Sequence, residues 1–327
     1  MQTKKLPRVS SRKIAIAQEL DIYDCTEIEE KLKDLEPEQV DLRNLYKKML
    51  KSGSGRMLVM PSRLPNMQKL VYELPNFAEP LKDIERQLSL CLGGGDTLEI
   101  SPLLLLGPPG VGKTHFANRL ADILETDSVF ISMGTTTAGW VLAGSSSGWR
   151  GSRPGKILST LLDNFFANPV VVIDEIDKAA AQAQYDPMGG LYSLLERSTA
   201  RKFIDEFADT GVDASHITWV TTANDIHSIP KLILDRLNVH EISPPNKEQA
   251  RRIAFILYKE IRDDHNWGKD FEENPSDEVL DYFSKHTPRH MREMWMTGFG
   301  NAKLAKRSSV QIKDIQLKRK LGTKMGF

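Results

Sequence analysis

Residues 101 to 114 read SPLLLLGPPGVGKT, so an apolar run passes directly into the spacing G-x-x-x-x-G-K-[ST]. Each residue type in that spacing answers a need of a polyphosphate. Gly107, Gly110 and Gly112 let the backbone wrap an anion. Their N–H groups, with the amino end of a helix starting near Lys113, place partial positive charge at a β-phosphate. Lys113 reaches the β- and γ-phosphates, and Thr114 offers its hydroxyl to Mg²⁺. The expected nucleotide-binding set is Gly107, Pro108, Pro109, Gly110, Val111, Gly112, Lys113, Thr114 and His115. A chance glycine turn before a core helix is the competing explanation, and an uninterrupted match behind an apolar strand argues against it.

A second cluster follows some sixty residues on. Val170-Val171-Val172-Ile173-Asp174-Glu175 is a buried strand that ends in two carboxylates. Beside a phosphate loop the first, Asp174, holds Mg²⁺ through water together with Thr114, while Glu175 polarises the attacking water. That pair suits hydrolysis better than binding alone; two acids capping a helix are the alternative. Ile217 to Asn224 form the next strand, and Asn224 can orient the lytic water, although an asparagine taken alone is more often a turn residue. Leu234-Asp235-Arg236-Leu237 places an arginine past the last helix of the sheet, where Arg236 serves a neighbouring subunit's nucleotide or else a surface salt bridge.

These residues need a sheet to position them. Leu103 to Leu106, Val129 to Met133, Val170 to Ile173 and Ile217 to Thr221 are short apolar runs separated by helical stretches, with a weaker fifth run at Val239 to Ile242. The pattern is that of a parallel sheet covered on both faces. Ahead of it, Thr26-Glu27-Ile28-Glu29 reads as a capping box opening a helix, and Leu42, Leu45, Tyr46, Met49 and Leu50 repeat at helical spacing. Leu81, Ile84, Leu88 and Leu92 mark a further helix stopped by Gly93-Gly94-Gly95. After Pro244-Pro245 the chain is helical through Leu304, with Val310-Gln311-Ile312 expected as a short strand. The predicted fold class is α/β: a phosphate-loop parallel-sheet domain over 74–243, preceded by a short helical N-terminal region over 1–73 and followed by a small all-helical domain over 244–327.

The 327 residues carry 44 Lys and Arg against 44 Asp and Glu, a balance that excludes a surface built throughout for nucleic acid. The basic start MQTKKLPRVSSRK and the basic stretch after Lys303 leave a local DNA or RNA contact open. Cys25 and Cys91, without metal-ligand spacing, suggest a reducing compartment, and no run of about eighteen apolar residues suggests membrane insertion. A cytoplasmic protein with no membrane partner is expected.

In this order and spacing the segments resemble an AAA+ ATPase, and more narrowly the ATPase module of Lon-type proteases. The resemblance runs from about Phe77 to Leu321 and rests on LLLLGPPGVGKT, SGWRGSRPGKI, NPVVVIDEIDK, TTANDIHSIPKLILDR and TPRHMREM. It implies that the nucleotide is ATP, with Phe77 near the adenine, and that the α-helical domain is a lid. It implies that Asn224 is sensor 1, Arg236 the arginine finger acting in trans, and Arg289 sensor 2, with Arg292 one turn on as the second candidate. It also implies a homo-oligomeric ring, usually a hexamer.

Ser147 to Lys156 resembles the loop lining the central pore of such rings, where the family places an aromatic followed by an aliphatic residue. Here Trp149 takes the first place and Arg150 the second. An exposed indole can grip an extended chain, Trp149 with Arg150 and Arg153 can stack on bases and pair with phosphates, and a tryptophan between glycines can be a packed anchor. Arg201 to Asp205 resembles a second pore loop. The sequence ends where the family's peptidase begins, and its seven histidines include no H-E-x-x-H pair, so no peptidase of its own is expected. The expected function is an ATP-hydrolysing motor that remodels or unfolds a protein substrate or partner through a pore. The alternatives are a nucleic-acid-associated loader or regulator, and a slow nucleotide switch.

Overall fold

In a computed structural model the described residues are 18–59, 63–92, 96–135, 140–149, 151–179 and 186–315. The basic start, the Gly93-Gly94-Gly95 helix stop, Arg150 and the basic stretch from 316 onward lie outside the described residues. The described residues fall into two compact units. Those within Met1–Pro65, Lys82–Leu106 and Thr114–His240 make one, and those within Asn66–Leu81, Gly107–Lys113 and Glu241–Phe327 make the other.

The first unit opens with the antiparallel strands β1 (Gln18–Asp21) and β2 (Gly55–Leu58). Its centre is a sheet of β3 (Leu103–Leu106), β4 (Ser128–Ser132), β5 (Val170–Asp174), β8 (Thr218–Ala223) and β9 (Asn238–Glu241), ordered β4-β5-β8-β3-β9. A hairpin of β6 (Phe203–Asp205) and β7 (Thr210–Val212) stands apart from it. Every residue of β8 and the first four of β5 are buried, because central parallel strands are covered on both faces and lose the alternation of a half-exposed strand. The parallel registers set Ser132 beside Asp174, Ile173 beside Thr221 and Leu106 beside Ala223, so four strands end together at one edge.

The N-terminal helices Cys25–Lys33 and Val40–Ser52 bury Ile28, Leu42, Leu45, Tyr46 and Met49 in the core that also holds Val171 and Trp219. The expected capping box at Thr26 is corrected: Asp24 caps the first helix, its carboxylate accepting from the N–H groups of Thr26 and Glu27. Thr26 is the second residue of the helix rather than the one before it, so the cap falls to Asp24, which sits immediately before Cys25. These helices also hold the β6–β7 turn. Tyr46 donates its hydroxyl to the Ala208 carbonyl at 2.8 Å, and Lys31 donates to the Asp209 carbonyl. Arg56, buried on β2, donates to the carbonyls of Leu161, Gly53 and Gly55 at 2.6, 2.9 and 2.7 Å. Arg56→Met should leave those acceptors unmatched and cost about 2–4 kcal/mol, read as a lower urea midpoint with unchanged slope.

The second unit is helical outside the phosphate loop. The helix Lys247–Asp264 begins with a full capping box between Asn246 and Gln249. It packs with Asp277–Phe283 and Pro288–Leu304 around Trp295, whose ring stacks on Phe283 at 4.0 Å and whose Nε1 donates to the Ala254 carbonyl. The strand expected at Val310-Gln311-Ile312 is corrected to a turn leading into the helix Ile312–Ile315. Asp314 accepts two hydrogen bonds from Arg307 and one from the Gln311 N–H, and this closed knot curls an otherwise strand-like run.

Candidate nucleotide site

Within the second unit the phosphate loop is shaped by two residues that only glycine accommodates without strain, Gly110 at φ +83° and Gly112 at φ +104°. A β-carbon added at Gly110 would lie 3.3 Å from Thr287 Oγ1 and 3.7 Å from Arg289 Cβ, so the first turn of the helix Pro288–Leu304 stands against the loop. Arg289, the expected sensor 2, is therefore beside the phosphate-binding backbone. Arg292 is turned instead toward Glu260, 4.0 Å away. Lys113 is buried, and its Nζ donates to the carbonyls of Gly107 and Pro108 at 2.5 and 3.1 Å. Phe77 is buried with Cε2 3.6 Å from where a β-carbon on Gly112 would sit, so it packs on the loop itself. Asn76, which the sequence reading missed, steadies the same loop by donating to the Val111 carbonyl at 3.1 Å. Pro108, Pro109 and His115 are exposed.

Within the first unit Thr114, Asp174, Glu175 and Asn224 cluster at the strand ends. Thr114 Oγ1 donates to Asp174 Oδ1 at 3.2 Å, which brings together the two residues expected to share a metal ion. Glu175 directly follows β5 and takes a left-handed conformation, φ +53°, a strain of about 1–3 kcal/mol of the kind that persists where surroundings dictate it. The surroundings here are Thr222. Its hydroxyl donates to Asp174 Oδ1 at 2.7 Å and accepts the Glu175 N–H at 3.0 Å, so one side chain fixes both acids. Thr222 lies in β8 two residues before Asn224, which follows the strand's last residue, Ala223. Sequence reasoning passed over Thr222, because its place beside Asp174 follows from the pairing of β5 with β8, which sets Ile173 next to Thr221.

Thr222→Val, which keeps the shape and removes the hydroxyl, should lower ATP turnover about 10- to 100-fold and raise the Mg²⁺ concentration needed for half-maximal rate. Steady-state rates over a Mg²⁺ series would measure both effects.

Arg236 makes a hydrogen bond to the Tyr192 carbonyl and an ion pair with Glu196 at 3.3 Å, both in its own chain. Trp149 sits at the tip of a loop whose roots are joined by Ser145 and Arg153. The Ser145 N–H donates to the Arg153 carbonyl, and the Arg153 N–H to Ser145 Oγ, both at 3.2 Å. Trp149 is 52% exposed, and its ring packs edge-on with that of Trp140, centroids 6.3 Å apart at 79°. Trp140 is a second aromatic that the sequence reading did not single out; its separation of nine residues gave no signal by itself. Among the described residues no group of three His, Cys, Asp or Glu is placed to hold a metal ion, and no helix is long and apolar enough to cross a membrane.

Residues 103–245 match the family model described as "ATPase family associated with various cellular activities (AAA)". That region is similar to AAA domains. The stretch containing it is 35% identical over 163 residues to a Lon protease of Desulforamulus reducens, a match covering 49% of this chain and 20% of that protein. It is 34% identical over 180 residues to the Lon protease of Campylobacter concisus, covering 54% and 22%. The chain therefore matches about a fifth of the length of these curated relatives, and the similarity to the Lon ATPase module drawn from the motifs is borne out. The structure of a Thermotoga maritima RuvB point mutant shares the AAA domain's fold, with a TM-score of 0.50 at 18% identity over 79% of this chain and 71% of that one. The α/β fold, with helices before the sheet and a helical region after it, is as expected.

Proposed function

We propose that this chain hydrolyses ATP with Mg²⁺ and uses the cycle to remodel or unfold a protein substrate or partner drawn past Trp149 in a homo-oligomeric, hexameric ring in the cytoplasm. The residues fit the nucleotide and its metal. The glycine-shaped loop leads into Lys113 at the start of a helix, a set that would offer N–H donors and a cation to an anion, and the Thr114 hydroxyl with the Asp174 carboxylate is a hard oxygen set of the kind Mg²⁺ takes. Bound there, Mg²⁺ supplies neutralisation of phosphate charge. Glu175 then orients the attacking water and takes its proton, Asn224 holds that water in line, and Arg289 contacts the phosphates. Arg236 acts on the nucleotide of a neighbouring subunit.

The observation that carries the choice of a protein substrate is Trp149 itself, half exposed at the tip of a loop closed at its roots and backed by a second indole. Such a tip offers apolar area to an extended polypeptide without sequence demands. The reading is tested by steady-state ATPase of the purified chain alone, with a permanently unfolded protein, and with single- and double-stranded DNA. Stimulation by the unfolded protein that Trp149→Ala abolishes is the expected result. Stimulation by DNA alone would replace the protein substrate with nucleic acid.

A further inference from the structure

The loop bearing Trp149 and the β6–β7 hairpin are separated by fifty residues of sequence, yet their bases meet at one side chain. Asp205, the last residue of β6, is fully buried. Its Oδ2 accepts the N–H of Gly155, at the C-terminal root of the Trp149 loop, at 2.7 Å. Its Oδ1 accepts the N–H groups of Phe207 and Ala208, which shape the hairpin turn, at 3.1 and 2.9 Å. One residue on, the Glu206 N–H donates to the carbonyl of Ala143, at the N-terminal root of the same loop, at 2.7 Å. Both roots are thus bonded to two consecutive hairpin residues. The fit is close: a β-carbon on Gly155 would lie 2.2 Å from the Leu142 carbonyl oxygen, and one on Gly144 would lie 2.9 Å from Asp205 Oδ1.

We propose that Asp205 is the positioning residue that makes the Trp149 loop and the β6–β7 hairpin a single moving body, so that displacement of one carries the other along the substrate. This rests on the reading of Trp149 as the gripping residue. Asp205 touches neither nucleotide nor substrate; it acts through Gly155. The hairpin's outer face carries Ile204, 58% exposed, which gives the same body a second apolar contact. Burial pushes the Asp205 carboxyl up to about 6, Glu206 adds to the shift and the three N–H donors oppose it. At pH 7.5 the group is ionised and both oxygens accept.

Asp205→Asn separates the two ties. An amide has one acceptor oxygen; held by Phe207 and Ala208, it leaves an NH₂ group facing the Gly155 N–H, donor against donor. In the full-length protein at pH 7.5, hydrogen exchange of the Gly155 amide should accelerate at least tenfold while Phe207 and Ala208 stay protected. The stimulation factor, ATP turnover with unfolded protein over turnover without, should fall to that of Trp149→Ala. A released Gly155 amide with undiminished stimulation, where Trp149→Ala does lose it, would overturn the coupling and leave the threading reading intact. Stimulation that survives Trp149→Ala would instead remove the reading on which the coupling rests. Should the Asn variant melt below assay temperature, the unmodified protein decides: protection of Gly155 and of Ala208 should change together, within about threefold, between the ATP and ADP states. Protection factors that diverge between those states contradict a single body.

Discussion

Arg236→Ala is expected to lower ATP turnover by about 10³- to 10⁵-fold, the range found where an arginine from a neighbour neutralises charge on a transferred phosphoryl group. The structure shows what Arg236 does in a single chain. It bonds to the Tyr192 carbonyl and pairs with Glu196, with about a third of its side chain exposed. An exposed pair of that kind contributes at most about 1 kcal/mol, so its loss costs little stability and a small shift in melting temperature accompanies the large kinetic defect. The in-trans role has its own signature. Arg236→Ala chains mixed with Glu175→Gln chains should regain turnover that neither has alone, because the second supplies the arginine and the first the carboxylate. A melting temperature that collapses, with no recovery on mixing, would make Arg236 a structural residue.

Glu175→Gln is the second large effect, a fall of about 10²- to 10⁴-fold in turnover with nucleotide affinity held within a few-fold. The substitution keeps the side chain's size at a backbone position fixed by the Thr222 hydroxyl, so the left-handed turn survives and only the proton acceptor is lost. Equilibrium binding of a fluorescent ATP analogue beside single-turnover hydrolysis separates the two quantities. The same variant tests the slow-switch alternative. Remodelling that continues at the unmodified rate in Glu175→Gln would mean that ATP binding alone suffices.

The phosphate loop and the acidic strand end were legible because each is contiguous, and local spacing alone specifies a glycine wrap or a strand closing on two acids. The strands announced themselves for a similar reason: four-residue apolar runs such as Leu103 to Leu106 leave no alternation to misread. What escaped depends on which strands lie side by side. Thr222 matters only because β8 runs parallel to β5 in a register that sets it next to Asp174, 48 residues away. Asp205 matters only because a hairpin folds back on Gly155. A threonine or an aspartate in a β-rich stretch has no local mark of such a role. At Thr26 the local rule was satisfied and another residue, Asp24, filled the cap. At Val310 a β-branched run was overruled by the Arg307–Asp314 pair, a contact that no propensity encodes.

In the proposed cycle ATP turnover does mechanical work on a polypeptide held at Trp149. The most direct measurement is loss of native fluorescence from a stable folded reporter carrying an unstructured tail, followed with the full-length protein, ATP and Mg²⁺. The expected result is ATP-dependent loss that requires the tail, stops in Glu175→Gln and stops in Trp149→Ala even though that variant still hydrolyses ATP. Loss of fluorescence that proceeds as fast with Trp149→Ala as with the unmodified chain would contradict it.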